Sequence, residues 1–434
     1  MKYFRFYFTT ILMIISLSLL FSTRIFAEGE PDSPYEVTEQ DTYVTEPDTR
    51  AMNRPGNPLA VGSTHTLIID KENNLWAAGN NNDGQIGNGT IINTIEPFHV
   101  MEDVVSVAAG RHHSLALTKS GEVWSWGYNF NCQVGDGTPT NRHRPFMILE
   151  NVVSISASDA NSLAVTADGD LFIWGRNHWG QIGNGTNRDS PRPIKAMENI
   201  IAASAGANHI LALKKDGSVW ALGGNHMGQL GDGTTVARPN PVKIMENAVA
   251  VEAGWHHSLA ITADGGLYVW GGNNFGQIGD GTTENRLKPV RVMEDVRHAS
   301  AQMMTLAITS DGVLWGWGRF EHGTSDGFVK PIEESDDTEE FGYEDEYNEQ
   351  DEVQDEVIED ETIEEEDITT YPLFYHTPKM IMDDMLVAVV GPDAFLAITN
   401  DGNLWVWGNN SFGKLRKSAD GSFYQPEYIG IVMN

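Results

Sequence analysis

The chain has 434 residues, with 61 Asp and Glu against 28 Lys and Arg, a formal net charge of −33 and a single cysteine, Cys132. Phosphate backbones are bound by clustered Lys and Arg, so nucleic acid is not an expected partner. One thiol excludes an internal disulfide framework. Residues 1–27 open with Lys2 and Arg5, continue as an apolar run from Phe6 to Phe21 and close with Ile25-Phe26-Ala27. This is the layout of a secretory signal peptide cleaved after Ala27; an uncleaved membrane anchor is the other reading, and both place the rest of the chain outside the cytoplasm, secreted or at the cell surface. Residues 28–57, with Pro, Thr, Glu and Asp and few apolar side chains, read as a flexible acidic linker.

From residue 58 to residue 434 one unit recurs. A short aromatic strand ends in Gly79, Gly127, Gly175, Gly223, Gly271, Gly318 and Gly408, as in VWSWG at Val123 and LYVWG at Leu267. The spacings are 48, 48, 48, 48, 47 and 90 residues, and self-similarity at such a period marks a repeat architecture. An apolar strand precedes each aromatic one, separated from it by pairs such as Asp168-Gly169 and Asp216-Gly217, or Glu72-Asn73 in the first copy. Gly and Asn tolerate the positive φ of a tight turn, so the two strands form an antiparallel hairpin. Pro97, Pro145, Pro193, Pro241, Pro289, Pro378 and Pro426 are expected to open a third strand, and runs such as VVSVAAG supply a fourth. Four strands per unit and seven units predict an all-β, seven-bladed β-propeller of four-stranded antiparallel blades, closed so that the segment after Pro426 returns beside Pro58. A monomer is expected.

The sixth unit carries an insertion, residues 332–372. Between Glu333 and Asp367, 21 of 35 residues are Asp or Glu and none is Lys or Arg, so the segment is expected to be disordered and to leave blade six undisturbed. It reads as a solvated spacer, or as a tether for cations; no EF-hand spacing is present.

The strings AGRHHSLALTKSGEVWSWGYN and AGWHHSLAITADGGLYVWGGNNFGQIGDGT, with GQIGNGT at Gln85 and Gln181 and GQLGDGT at Gln229, resemble the repeat of the regulator of chromosome condensation family. All seven copies match at least part of that pattern. Trp followed by Gly argues against a WD-type repeat, and Gly doublets such as Gly223-Gly224 and Gly271-Gly272 do not recur in every copy, which argues against a kelch-type one. The resemblance implies two precedents: guanine nucleotide exchange on a small nuclear GTPase, and, among secreted bacterial relatives, inhibition of a β-lactamase through aromatic loop residues. Copies one to five lack the inserted wedge of the exchange factor, and the export signal favours the second kind of role.

His65, His113, His209 and His257 share one position of the unit, replaced by Asn161 and Ala394 elsewhere, and are expected to serve the scaffold, not a metal. The repeated tryptophans, Trp76 and Trp126 with their counterparts, read as packing between blades. Cys132, standing where sister copies have Gly84, Gly180, Gly228 and Gly276, reads as a substituted loop residue. No GxSxG, HExxH or P-loop context is present, so neither catalysis nor a cofactor or metal is expected. The variable, loop-borne positions are the ones free to recognise a partner: Tyr128, Phe130, Trp179, Met227, Trp255, Phe275 and Phe412 are the candidate contacts with a protein partner. The same aromatics tucked under neighbouring loops would be scaffold, and stacked on sugars beside converging carboxylates they would suit a polysaccharide-active enzyme.

Overall fold

The computed structural model describes residues 56–320, 373–392, 394–408 and 423–432. The signal segment, the linker to residue 55, the acidic insertion and Phe412 lie outside the described residues. Those residues form seven sheets of four strands, each built from strands consecutive in the chain and antiparallel throughout. Blade one comprises β1 (Leu59–Val61), β2 (His65–Ile69), β3 (Leu75–Gly79) and β4 (Thr94–Met101). The six further blades repeat this order and run from Val104, Val152, Ile200, Ala248, Val296 and Met385.

Burial sets the direction of each blade. The first strands touch their counterparts in adjacent blades and ring the axis, and the second strands are buried along nearly their whole length. The fourth strands, such as β4, alternate exposed and half-buried residues and form the rim. Apolar side chains from two adjacent blades fuse into shared clusters; Leu163, Ile173 and Ile182 of blade three pack with Ile210 and Leu222 of blade four.

Two expectations about phase need correction. The VVSVAAG-type run is the first, innermost strand of the following blade, not the last of its own. The prolines do not open their strands: Pro97 is the fourth residue of β4, at an irregularity of the ladder between Ala77 and Gly79. A rim strand is paired along one edge only, so a residue without an N–H is tolerated there, and it blunts the open edge.

Closure also differs from expectation. The strand after Phe423 is the rim of blade seven; what lies against β1 is the first two strands of that blade, Met385–Val390 and Ala394–Thr399. Leu59 and Val61 are buried with Val389, Leu396 and Val406. The ring is therefore sealed by side-chain packing, with no strand exchanged between its ends.

The hairpins form as the turn chemistry requires. Gly169 has φ 83° and Asn73 φ 66°, and the Gly169 N–H donates to Thr166 O. The strand-end glycine is equally constrained: at Gly175, φ is 97° and an added Cβ would sit 2.3 Å from the carbonyl oxygen of Ala160.

Repeated polar groups latch the blades. His113 Nε2 lies 2.9 Å from Ser162 Oγ of blade three, and Ser162 Oγ and Trp174 Nε1 both donate to Gln133 O of blade two, at 2.8 and 2.9 Å. The hydroxyl has one proton, spent on the carbonyl, so the imidazole donates from Nε2. The same group recurs with His65, Ser114, Trp126 and Gln85, with His209, Ser258, Trp270 and Gln229, and with His257, Thr305, Trp317 and Gln277. The repeated histidine is thus a scaffold residue, bonding a side chain of the next blade. Burial holds His113, His209 and His257 down at about 3.

Candidate interaction face

Because strands alternate in direction, the turns between first and second strands and those between third and fourth strands emerge on one side of the ring. The hairpin tips and the links to the next blade emerge on the other. Every described candidate contact falls on the first side: Tyr128, Phe130, Trp179, Met227 and Phe275 between third and fourth strands, and Trp255 between first and second. The five uninterrupted loops between third and fourth strands, in blades one to five, are each 14 residues long.

These loops are rigid for reasons visible in their residues. Asn129 accepts the Val134 N–H on its side-chain oxygen and donates to Thr138 O and Thr140 O, and the same bonds recur at Asn81, Asn177, Asn225 and Asn273. Asp232 accepts from Thr234 N–H and from Arg238 Nε at 2.7 Å, and Asp136 and Asp280 make the same pairs with Arg142 and Arg286. Hydrogen bonds from Thr138 and Arg142 hold the Asp136 carboxyl below its ordinary range against the opposing effect of burial, its largest single influence. Cys132 sits here with φ 65°, and burial raises its thiol.

A packing rule then joins neighbouring loops. The residue four beyond a strand-end glycine lies over the residue one beyond it in the next blade. Trp179 covers Gly224, where a Cβ would meet its Cγ at 3.4 Å; Met227 covers Gly272, at 3.5 Å to its Cβ; Phe275 lies under Arg319, whose guanidinium carbon is 5.4 Å from the ring centroid. A large side chain at the first position therefore pairs with glycine or a flat guanidinium at the second.

The result is a row of rings across blades three to five. Trp179 lies 5.8 Å from His226, His226 5.3 Å from His256, and Trp255 stacks on His256 at 6.1 Å between centroids. Trp179 keeps 44% of its surface exposed and Phe130 72%, whereas Tyr128, Met227, Trp255 and Phe275 are half-buried. Burial, then the neighbouring His226, lowers the His256 pKa, while Asp159 acts in the opposite direction. Asp159 itself is paired with Arg176, whose guanidinium also donates to Ala207 O and Asn208 Oδ1 of blade four, both at 3.0 Å. Around the axis, Gly62, Arg111, Asp159, Trp255, Gln302 and Pro392 line the mouth of the central opening.

Trp179 and Trp255 are among the candidate contacts, but the histidines between them and Arg176 are not. His256 was masked by its repeated neighbour His257, and His226 and Arg176 lie at positions whose importance depends on the adjoining blade. Among the described residues no group of three or more His, Cys, Asp or Glu is placed to hold a metal ion.

A family model described as the RCC1-like domain matches residues 100–432, and one described as the regulator of chromosome condensation (RCC1) repeat matches residues 72–117. No curated protein matches significantly. Among solved structures the chain is similar to human WBSCR16, at 21% identity over 82% of this chain and 93% of that one, with a TM-score of 0.63. It is similar to Prp20p of Saccharomyces cerevisiae, described with its binding to Gsp1p and histones, at 21% identity over 88% of each chain and a TM-score of 0.66. It also matches the structure of Kap60 bound to yeast RCC1 (Prp20), at 18% identity over 94% of this chain and 91% of that one, again with a TM-score of 0.66.

Proposed function

The chain belongs to the RCC1-like domain family, matched over residues 100–432, and we propose that it is a protein-binding propeller that engages its partner through the loop-bearing face. The observation that carries this reading is the row Trp179, His226, His256 and Trp255, which crosses three blades on one side with part of its surface open to solvent. Partly exposed aromatics on rigid loops lose little entropy on binding and make effective anchors. The enzymatic alternative draws no comparable support, because Asp159, the carboxylate beside the row, is neutralised by Arg176. That Prp20p is described with protein partners agrees with the coarse reading, and does not identify a partner for this chain.

We further place the propeller outside the cytoplasm, a reading supported by the pattern of residues 1–27 alone. The test is a pull-down from the secreted and surface fractions with the mature chain and with Trp179→Ala combined with Trp255→Ala. The variant should fold, as judged by its melting transition, and lose its partner. Retention of the same partner at undiminished yield by the folded variant refutes the assignment.

A further inference from the structure

Among the described residues, charge is divided unevenly between the two sides of the ring. On the loop face most described carboxylates are committed: Asp136, Asp232 and Asp280 to the arginines that open the following strands, Asp159 to Arg176, and Asp189 to the Asn177 N–H. Five exposed cations on that side have no ion-pair partner among the described residues. Arg111 stands at the central mouth, Arg188 in the loop of blade three, and Arg144, Arg192 and Lys288 near the starts of rim strands, against Gly89, Gly137 and Gly233 of the preceding loops. The opposite side carries acidic links and hairpin tips, such as Glu102-Asp103, Glu294-Asp295 and Asp383-Asp384. The described loop face thus sets five unpaired cations beside its exposed aromatic row, while Lys215 and Arg297 lie on the other side and the acidic insertion joins the chain on this one.

From this we propose that the loop face takes an acidic protein segment bearing an aromatic or aliphatic anchor. The inference rests on the reading of that face as the partner surface and names the partner's chemistry. Arginine presents a planar fork suited to carboxylates, and four of the five free cations are arginines. Trp179 and Phe130 supply exposed apolar surface on the same face. A nucleic acid fits less well, because the cations are spread over blades two, three and five instead of tracking a backbone as a stripe.

The experiment uses the full mature chain and three labelled probes: a random Glu–Tyr copolymer, polyglutamate and a single-stranded DNA oligonucleotide, followed by fluorescence anisotropy at low and high salt. The copolymer should bind, with an affinity that falls roughly tenfold or more as salt rises from about 50 to about 300 mM. Arg111→Glu with Arg188→Glu should weaken it roughly tenfold further at low salt, whereas Asp295→Lys with Asp384→Lys should change it less than about twofold. Trp179→Ala should weaken the copolymer but not polyglutamate. Failure of the copolymer to bind at low salt, equal effects of the two charge reversals, or tighter binding of the DNA would each overturn the proposal. If the charge reversals prove silent while Trp179→Ala with Trp255→Ala still releases the partner in the pull-down, the inference falls and the underlying reading of the face stands.

Discussion

Among the described residues four blade junctions are latched by a His, a Ser or Thr, a Trp and a Gln carbonyl, and the junction of blades three and four has lost three of these members together. Asn161, Ile210 and Leu222 stand where the latch has His, Ser and Trp, all buried, with Ile210 and Leu222 packed against Ile182. This predicts that the latch is one unit. Installing the apolar alternative between blades two and three takes three substitutions: His113→Asn, Ser162→Ile and Trp174→Leu. Made singly, the first leaves Ser162 without its buried donor, at about 1–3 kcal/mol. The second forces a branched chain against His113 and Trp174, at about 1–3 kcal/mol. The third opens a cavity beside Gly135 and removes the bond to Gln133 O, at about 2–4 kcal/mol. Together the new side chains fill one another's space, and the triple variant should cost under about 3 kcal/mol, well below the sum.

Its acid sensitivity should fall as well. His113 is held at about 3 in the folded chain, while the unfolded chain binds the proton near 6.5, so the latch contributes fully above 6.5 and its contribution is lost as pH falls through the interval from 6.5 toward 3. Between pH 7 and pH 5 each such histidine removes about 2 kcal/mol of stability, and the triple variant should be spared one share. Urea unfolding at the two pH values measures both quantities. A triple variant as destabilised as the three single changes summed, or with an unaltered pH dependence, refutes the latch as a coupled unit.

Three further outcomes are expected. Gly175→Ala, which demands a positive φ and a Cβ 2.3 Å from Ala160 O, should cost more than about 2 kcal/mol in denaturant unfolding. Arg176→Met should cost about 1–3 kcal/mol, because it leaves Asp159, Ala207 O and Asn208 without their shared donor, whereas Arg111→Met should stay within about 0.5 kcal/mol of wild type. Removing residues 333–367, which carry 21 carboxylates and join blade six between Phe320 and Leu373 on the loop side, should leave the melting temperature unchanged while raising affinity for the Glu–Tyr copolymer roughly threefold or more.

The scaffold was legible because its constraints are local and repeated. A hairpin declares itself through Asp168-Gly169, and the interblade tryptophans through a fixed offset from the strand-end glycine, so seven copies vote on every feature. Phase was not legible: a closed repeat can be cut at any point, and only the hydrogen-bond ladders show that Val104–Ala109 pairs with the strand after it. The prolines misled because an edge strand with a bulge accepts in its middle what a central strand accepts only at its first residue. The site was legible in half. Exposed positions that vary between copies pointed to Trp179 and Trp255, but the pairing of Trp179 with Gly224, and of Phe275 with Arg319, links residues about one repeat apart and follows from how adjacent loops overlap. Read with that overlap in mind, the doublets Gly223-Gly224 and Gly271-Gly272 are the footprints of Trp179 and Met227.

The junction of blades three and four, one of those without the latch, is crossed by the ring row from Trp179 to His226. At three of the latched junctions the main chain contributes on the loop face too: Ser63 N–H donates to Arg111 O, Arg111 N–H to Asp159 O, and Trp255 N–H to Gln302 O of the next blade. Between blades three and four the corresponding carbonyl, Ala207 O, is instead taken by the Arg176 guanidinium. Apolar packing of Ile210 and Leu222 inside, and Arg176 and Trp179 outside, replace a polar latch with contacts made by side chains that differ from the repeat. A blade boundary freed from the shared pattern is where a repeat protein can vary its surface without breaking the groups that the latched boundaries need, because those groups are tied to fixed partners in the next copy. The coincidence of the altered boundary with the exposed tryptophan is therefore what a recognition surface grown out of a repeating scaffold requires.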